Sequence, residues 1–405
     1  MRIATSTIYD VNVAALNRQQ SQMLQTQQQV SSGRRMNTPA DDPAAAALAL
    51  NVSQADASNT QHGSNIDRAQ TALGLSEGVL QGVTSLLQDA QTVAVNAGNS
   101  GTLSNSDRRM LANDLQGRLN QLIAQANTTD ATGNYLFSGF QGNTTPFVNT
   151  VTGVQYQGDS GQRMVQVSTA SQVATSDSGA DVFMRIKNGN GTFAIQPAVA
   201  NMGSGLADLG AVITPALVTG NNYQVTFNVV AGVTTYDVLN TTTATTISTG
   251  NSYSSGQPIA FDGISFNVAG APANGDQFTI TPSTNESVFK TMSDLINTLN
   301  TGMITGDVAS NTQLNANLNK ALNGLARSLD NVLSVRATLG SRMRELDSEK
   351  SSVSDLGIQY QQVLSQLQDV DYNKAITDLT RQKTGLEAAQ KSYLQVQSLS
   401  LFNYM

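Results

Sequence analysis

The residue types that most often carry out chemistry in proteins are scarce in this sequence. Its 405 residues include one histidine, His62, and no cysteine. Zinc sites use several His or Cys ligands, and a Ser-His-Asp triad needs a histidine beside its nucleophile. His62 stands in the polar run NTQHGSN, without a second imidazole or a thiol to share a metal ion. We therefore predict neither a metal-binding nor a catalytic role for it.

A short acidic motif near the C-terminal end is similar to the start of a calcium-binding loop. Asp369, Asp371 and Asn373 have the alternate spacing with which an EF-hand loop begins. That loop also needs a glycine at its sixth position and a glutamate at its twelfth, where this chain has Lys374 and Thr380. Because Asp is a preferred N-cap residue, we interpret Asp371 as a helix cap and not as a calcium ligand.

A glycine cluster, Gly203, Gly205 and Gly210, is spaced like an incomplete dinucleotide-binding fingerprint. Such a fingerprint follows a strand and opens a helix, and neither pattern flanks this cluster. We interpret it as a loop and predict no cofactor. With no convergent acid, base and nucleophile, the sequence does not indicate an enzyme.

The composition excludes further classes of function. Charged residues make up 13% of the chain and its net charge is -7, which would repel the phosphates of a nucleic acid. No apolar run approaches the roughly 18 residues of a membrane span, and no signal-peptide core follows the first residues. The lack of cysteine suits a protein that works outside the cell without disulfides.

The N-terminal region has the spacing of a helix from about residue 6 to 32. Seven positions at intervals of three or four residues form its stripe: Tyr9, Val13, Leu16, Gln20, Met23, Gln27 and Val30. Two of the seven are glutamines, so this face buries too little apolar surface to hold a lone helix in water. We expect it to need partners on several sides.

A joint follows in residues 30–50, VSSGRRMNTPADDPAAAALAL. Gly33 ends the first helix, because glycine enters the left-handed conformation of a helix C-terminus without a Cβ penalty. Asp42 is the predicted N-cap of the next helix and Pro43 its first residue, which leaves residues 34–41 as a short ordered link. The link exposes Arg34 and Arg35, either as a solvated pair or as contacts to other subunits.

The next helices carry regular apolar seams. The second predicted helix has a coiled-coil repeat at Ile66, Ala69, Leu73, Ser76, Leu80, Val83, Leu87, Ala90, Ala94 and Ala97. Ser104 and Asp107 form a capping box for a third helix, whose apolar face is Ala112, Leu115, Leu119, Leu122 and Ala126.

The apolar period changes to two residues from about 148 to 284. Segments such as MVQVS, YQVTFNVV and DQFTITP alternate apolar and polar residues, and turn sequences such as KNGNG and ANGD separate them. This predicts an antiparallel sandwich or barrel. We also expect that a short linker can replace residues 148–284 while the helices remain folded.

Helical spacing returns after residue 286. Its longest seam runs over residues 322–367 and predicts a rod of roughly 70 Å, which needs an antiparallel partner from residues 42–127. A last helix is predicted over residues 371–403, with Tyr372, Leu379, Leu386 and Tyr393 at heptad spacing. Its end carries Leu394, Leu399, Leu401 and Phe402, which are apolar on more than one face and must be covered by something.

The predicted fold class is therefore α+β: a long antiparallel helical bundle from both termini with an inserted antiparallel β domain. We divide it into an N-terminal assembly and export helix, the two halves of a bundle, a β-rich outer domain and a C-terminal assembly helix. The N-terminal helix is residues 1–41, and the two halves of the bundle are residues 42–147 and 285–370. The β-rich outer domain is residues 148–284, and the C-terminal helix is residues 371–405.

Four blocks of this sequence resemble the bacterial flagellin family and its relatives at the junction of hook and filament. They are residues 30–50, MRIATSTIYD at the start, YLFSGF (135–140) followed by TTPF, and QKSYLQVQSLSLFNYM (390–405). YLFSGF and the final SLFNYM favour the junction relatives over a filament flagellin, which is the alternative. An enzyme or a sugar-binding adhesin in the β insert is an alternative of another class.

The resemblance implies a structural role, export and several partners. Members of this family leave the cytoplasm through the flagellar type III export apparatus with an uncleaved signal, and then assemble outside the cell. The chain would pack into a ring beside a hook-associated junction protein and flagellin. We assign subunit contacts to Leu16, Met23, Val30, Arg34, Arg35, Leu379, Leu386 and Tyr393. A cytoplasmic export chaperone would bind the last helix at Leu394, Leu399, Leu401 and Phe402.

Overall fold

The computed structural model describes residues 5–98, 103–301 and 307–398. Within them are six α-helices: α1 (Thr5–Ser32), α2 (Pro43–Gly98), α3 (Asn105–Ala126), α4 (Val288–Asn300), α5 (Val308–Gln368) and α6 (Tyr372–Ser398). Fifteen strands lie between α3 and α4 in the chain, and all their pairings are antiparallel. The predicted α+β class is confirmed.

The chain forms two compact units. The terminal unit contains the described residues up to Ile66 and from Asp347 onward, and the central unit contains those from Asp67 to Leu346. These divisions fall inside α2 and α5, not at the period changes of the sequence. The five-part division predicted above stays a prediction.

The predicted seams are buried in α2 and α3 and partly buried in α5. All ten seam positions of α2 and all five apolar positions of α3 are buried. In α5, Leu325, Val332, Leu339 and Leu346 are buried at seven-residue intervals. Ser104 caps α3 through a complete capping box with Asp107, as predicted. Glu77 accepts two hydrogen bonds from Arg336, at 2.6 and 2.9 Å, which ties α2 to α5 within this unit.

Residues after α3 add to the helical core before the sandwich begins. They form two hairpins and a π-helical turn, Ala180–Met184. The strands are β1 (Phe147–Thr150), β2 (Gly153–Tyr156), β3 (Met164–Gln166) and β4 (Gln172–Ala174). Phe147 and Phe183 pack on Phe289 of α4, with ring centroids 5.1 and 5.8 Å away. Phe183 therefore belongs to the core around α4 and not to the sandwich. That residues 148–284 can be replaced as one unit stays a prediction.

A short strand pair connects this core to the sandwich. β5 (Ile186–Lys187) pairs with β15 (Asn285–Glu286), so the chain enters and leaves the sandwich at one place. Ser287 then caps α4 by accepting a hydrogen bond from the Lys290 amide.

The sandwich consists of two antiparallel sheets. One has the order β11-β10-β9-β14-β6, and the other has β12-β13-β7, with β8 also paired to β13. Its strands are β6 (Phe193–Pro197), β7 (Leu206–Ala207), β8 (Ala211–Val212), β9 (Tyr223–Val230), β10 (Val233–Asn240), β11 (Thr245–Ser252), β12 (Pro258–Phe261), β13 (Ile264–Ala269) and β14 (Gln277–Pro282). Alternate residues of both sheets, such as Val225, Phe227, Phe266 and Phe278, form one buried core. The predicted sandwich is thus present, over a shorter range than expected.

Candidate functional site

The terminal unit has almost no core of its own. Among its described residues, the buried apolar side chains are Ala49, Ile66 and Ala375. Its exposed large apolar side chains are far more numerous: Tyr9, Val11, Leu24, Leu48, Leu50, Leu356, Ile358, Tyr372, Ile376 and Leu394. Exposed apolar surface of this extent marks a surface that binds other molecules. We treat the terminal unit as the candidate functional site.

Helices α1 and α6 pack against each other with matching heptads. Tyr9 contacts Tyr393, with ring centroids 5.9 Å apart. Seven-residue steps in opposite directions from this contact bring Leu16 opposite Leu386 and Met23 opposite Leu379. These four side chains, Val30 and Tyr393 are half-buried or exposed within the chain, and none is fully buried. A single helix pair therefore leaves apolar surface uncovered on both helices.

The joint connects the end of α1 to the turn between α5 and α6. Gly33 adopts a left-handed conformation with a φ of 72°, and its amide donates to the Gln29 carbonyl at 3.0 Å. The Gly33 carbonyl accepts from the Val370 amide at 2.9 Å, and the Arg35 amide donates to the Gln368 carbonyl at 2.7 Å. The predicted helix stop at Gly33 is confirmed.

Arg35 is engaged within the chain, whereas the Arg34 side chain is exposed. The Arg35 guanidinium donates to the Leu367 carbonyl from Nη2 at 2.9 Å and from Nε at 3.3 Å. It also lies 3.5 Å from Asp42. A cation at the C-terminal end of α5 satisfies a carbonyl that has no partner within the helix. Arg35 is thus a helix cap here, and the subunit contacts assigned to both arginines stay predictions.

Two aspartates fix the link between α1 and α2. Asp42 caps α2 by accepting from the Ala45 amide at 3.0 Å, as predicted. Asp41 accepts from the amides of Thr38 and Asn37 at 2.9 and 3.0 Å. Hydrogen bonds from the Thr38 backbone hold the pKa of Asp41 below its usual value. The link contains no helix, so it is an ordered connection as predicted.

Polar contacts hold α2 against α5 inside the terminal unit. Asn59 donates to the Val353 carbonyl at 2.7 Å, and Gln361 donates to Asp56 at 2.9 Å. The two pairs run in opposite directions along the helices, so the helices are antiparallel. Sequence reasoning missed Asn59, although it lies seven residues before Ile66 and continues the seam of α2. The heptad spacing was the signal that would have found it.

The structure also describes the other residues that the sequence analysis singled out, Asp371, Gly203 and His62. Asp371 accepts from the Lys374 amide at 3.2 Å and caps α6, which confirms its predicted role. Gly203 lies in the loop between β6 and β7, where its amide donates to the buried Asp276 carboxylate at 3.0 Å. His62 lies in α2, and its two ring nitrogens are buried without hydrogen-bond partners. In the part of the chain that the structure describes, no three His, Cys, Asp or Glu side chains are placed to hold a metal ion.

The predicted chaperone site is only partly described. Leu394 is 62% exposed on α6, whereas Leu399, Leu401 and Phe402 lie outside the described residues. Across the described helices, none combines the length and the hydropathy that a membrane crossing requires.

Comparison with known proteins gives matches at both ends and over the whole chain. The bacterial flagellin N-terminal helical region matches residues 3–142, and the bacterial flagellin C-terminal helical region matches residues 322–405. Flagellar hook-associated protein 3 of Salmonella typhimurium is 28% identical over 402 residues, which are 99% of either chain.

Two solved structures from Legionella pneumophila are also similar. One is a flagellar hook-associated protein 3, with 32% identity, a TM-score of 0.74, and coverage of 78% of this chain and 98% of that one. The other is described as a flagellar junction protein, with 32% identity, a TM-score of 0.72, and coverage of 80% and 100%.

The chain therefore belongs to the bacterial flagellin family, which the matches at both of its helical ends define. Within that family it is a member of the hook-associated protein 3 group, because relatives of that name match it along their whole length. It is a structural protein of the bacterial flagellum. The resemblance found in the sequence is confirmed, and the filament flagellin alternative is set aside.

Proposed function

We propose that this protein forms a ring that joins the hook of the flagellum to its filament. The observation that carries the proposal is the terminal unit, whose helices expose ten large apolar side chains and bury only three apolar ones among the residues described. Neighbouring copies would cover these faces. Its relatives include a flagellar junction protein, which supports the same position in the flagellum.

Assembly would use the two terminal helices first. Leu16, Met23 and Val30 on α1, with Leu379, Leu386 and Tyr393 on α6, retain exposed surface after the two helices pair. Full burial of one such side chain contributes roughly 1.5 to 3 kcal/mol. Several neighbours acting together would therefore stabilise helices that the isolated chain holds weakly. Arg34, whose side chain is exposed, is available for a contact with a neighbour.

Export would precede assembly. Leu394 exposes an apolar side chain on α6, and a cytoplasmic chaperone that covers this end would prevent premature association. The chain would then leave through the flagellar type III apparatus and meet a second hook-associated protein on one side and flagellin on the other. This role is mechanical and needs no catalytic step.

Electron microscopy of a strain that lacks the protein tests the proposal. We expect hooks without filaments, flagellin released to the medium, and recovery of both defects when the full chain is restored. Filaments that stay attached to hooks in the deletion strain would contradict a junction role.

A further inference from the structure

Hydrogen bonds order the hairpin of β1 and β2 at its base and at its tip. Asn127, at the end of α3, holds its base with two hydrogen bonds to the Phe147 backbone, at 2.8 and 2.9 Å. At the tip, the Thr150 hydroxyl donates to the Gly153 carbonyl at 2.7 Å. A segment ordered in this way loses little entropy when it binds a partner.

The tip of this hairpin is uncharged and uncovered. Val151 is fully exposed, and no atom lies within 4 Å of the position that a Cβ on Gly153 would take. The tip sequence, NTVTG, carries no charge. A single exposed valine is common on protein surfaces, but here it stands on a hydrogen-bonded, uncharged hairpin, which makes the tip a candidate contact surface.

A cavity of the central unit lies at an open edge of the sandwich. Its volume is about 1010 Å³, and its walls come from β6, β7 and β8 on one side and from α4 and α5 on the other. Three exposed apolar residues, Val199, Leu209 and Ile213, are part of its lining. Much of the rest is amide side chains, including Asn188, Asn297, Asn317 and Gln313.

The charges around this cavity are balanced. Its acidic lining residues are Asp208, Glu286 and Asp294, and its basic ones are Lys187 and Lys320. Lys290 adds a third cation, because its ammonium lies 2.6 Å from Asp294 and 3.9 Å from Glu286. A neutral, amide-lined cavity with apolar groups suits an uncharged Thr/Val/Asn segment better than a charged one.

An added β-strand fits this edge poorly. β6 is the edge strand of its sheet, and Pro197 at its end has no amide to donate. Only a short stretch of main chain is therefore open to pairing. A compact tip is a better occupant than a long extended peptide.

The hairpin and the cavity lie on opposite faces of α4. Phe147, at the base of the hairpin, packs on Phe289. Asp294 and Thr298, which line the cavity, are five and nine residues further along the helix. At 100° per residue they lie about 140° and 180° around the helix from Phe289. A head-to-tail ring uses two different surfaces of each subunit, and these two lie on opposite faces of one helix.

We propose that the β1–β2 hairpin tip of one copy docks into this cavity of the next copy around the ring. The inference rests on the proposed ring and names a contact within it. Val151 enters among Val199, Leu209 and Ile213, and the threonine hydroxyls of the tip meet the amide side chains of the walls.

Disulfide trapping tests the contact, because the chain has no native cysteine. The probe pair is Val151→Cys with Ile213→Cys. The matched control is Val151→Cys with Val233→Cys. Val233 is 63% exposed at the β9–β10 hairpin of the sandwich and does not line the cavity. Flagella with intact junctions are oxidised and run on non-reducing gels. We expect a ladder of multimers from the probe pair that is at least about tenfold stronger than from the control.

The possible outcomes separate this inference from the proposed function. Equal ladders, or no probe ladder from chains present at filament-bearing hooks, would overturn the hairpin contact and leave the ring intact. Absence of the chain from hooks would overturn the proposed function itself. As a second readout, Val151→Asp should reduce the number of hooks with filaments by about tenfold without a change in thermal unfolding, since an aspartate enters an apolar site poorly. Val233→Asp should change neither, and an equal loss with both variants would also count against the contact.

Discussion

The two arginines in the joint, Arg34 and Arg35, have different environments. A pair of exposed arginines in a sequence suggests either solvated charges or a binding surface. The structure instead engages Arg35 with the Leu367 carbonyl, 332 residues away in the chain, and leaves Arg34 exposed. Arg35 therefore holds the end of α1 to the end of α5. A change at Arg35 should disturb the fold of the joint, and a change at Arg34 should not.

Gly33 is the residue at which this joint is most sensitive to substitution. An alanine there would have to keep a φ of 72°, and its Cβ would meet the Tyr372 hydroxyl at 3.0 Å. We expect Gly33→Ala to destabilise the joint by about 1 to 2 kcal/mol, because the left-handed conformation is strained for residues with a Cβ. Faster hydrogen exchange of the amides of Gly33, Arg35 and Val370 would measure it.

Gly340→Ala is the control for this substitution. Gly340 lies within α5, and outside its own stretch of helix no atom lies within 4 Å of the position that an added Cβ would take. Alanine there should therefore be neutral or stabilise the helix by about 0.5 to 1 kcal/mol. Unchanged exchange at the joint in Gly33→Ala would show that the backbone relaxes there without cost.

The local sequence was sufficient to predict where helices begin and end, but not which distant residues these ends contact. Gly33, Asp42 and Ser104 were predictable because a helix stop or cap depends on a few adjacent residues. The Arg35 contact was not, since nothing near Arg35 in the sequence identifies Leu367 as its acceptor. Asn59 was predictable in part. Its seven-residue spacing from Ile66 places it on the seam, but it was missed because only apolar residues were counted as seam positions.

At the scale of elements, the same heptad pattern has two different results. In the central unit the seam of α2 is fully buried, and in α5 Leu325, Val332, Leu339 and Leu346 are buried. In α1 and α6 the corresponding positions are covered by one partner helix only, and they retain exposed surface. The periodicity predicts which face of a helix is apolar, but the number of neighbours that cover it depends on the tertiary and quaternary structure.

The exposed Leu394 on α6 leads to a prediction about export. Leu394→Asp combined with Leu401→Asp should abolish binding of the export chaperone, because two buried carboxylates would oppose an apolar interface. Thermal unfolding of the free chain should change little, since Leu394 is 62% exposed. Co-purification with the chaperone is the measurement.

Leu50→Asp is the matched control for this double variant. Leu50 is 70% exposed on α2 in the same terminal unit, so its substitution should leave chaperone binding intact. Binding that survives the double change on α6, or that is lost equally with Leu50→Asp, would place the chaperone site elsewhere.

At the scale of the whole molecule, the period change in the sequence does not mark the boundary of the sandwich. The alternating pattern begins near residue 148, but Phe183 packs with Phe147 and Phe289 in the core beside α4. The short strands β1 to β4 come before Phe183 and alternate apolar and polar residues as sandwich strands do, so alternation could not place the boundary. The pairing of Lys187 with Asn285 leads us to expect that residues 188–284 are the more readily separable segment.

Replacement of residues 188–284 with a two-residue Asn-Gly turn should leave a folded helical protein. Lys187 and Asn285 are paired neighbours in β5 and β15, so such a turn can close them as a hairpin. Helical circular dichroism should be retained. Replacement of residues 148–284 should instead cause loss of helix or aggregation, because it removes Phe183 from the core. If both shortened chains behave alike, the packing of Phe147, Phe183 and Phe289 does not stabilise the helices.

The central claim is that the terminal unit obtains its core from neighbouring copies. Hydrogen exchange, compared between the free chain and isolated hook–filament junctions, tests it directly. We expect amides of Thr5–Ser32 and Tyr372–Ser398 to exchange at least about a hundredfold more slowly in the junction, while the buried seam of α3 exchanges equally slowly in both. Terminal helices as strongly protected in a verified monomer as in the junction would contradict the claim.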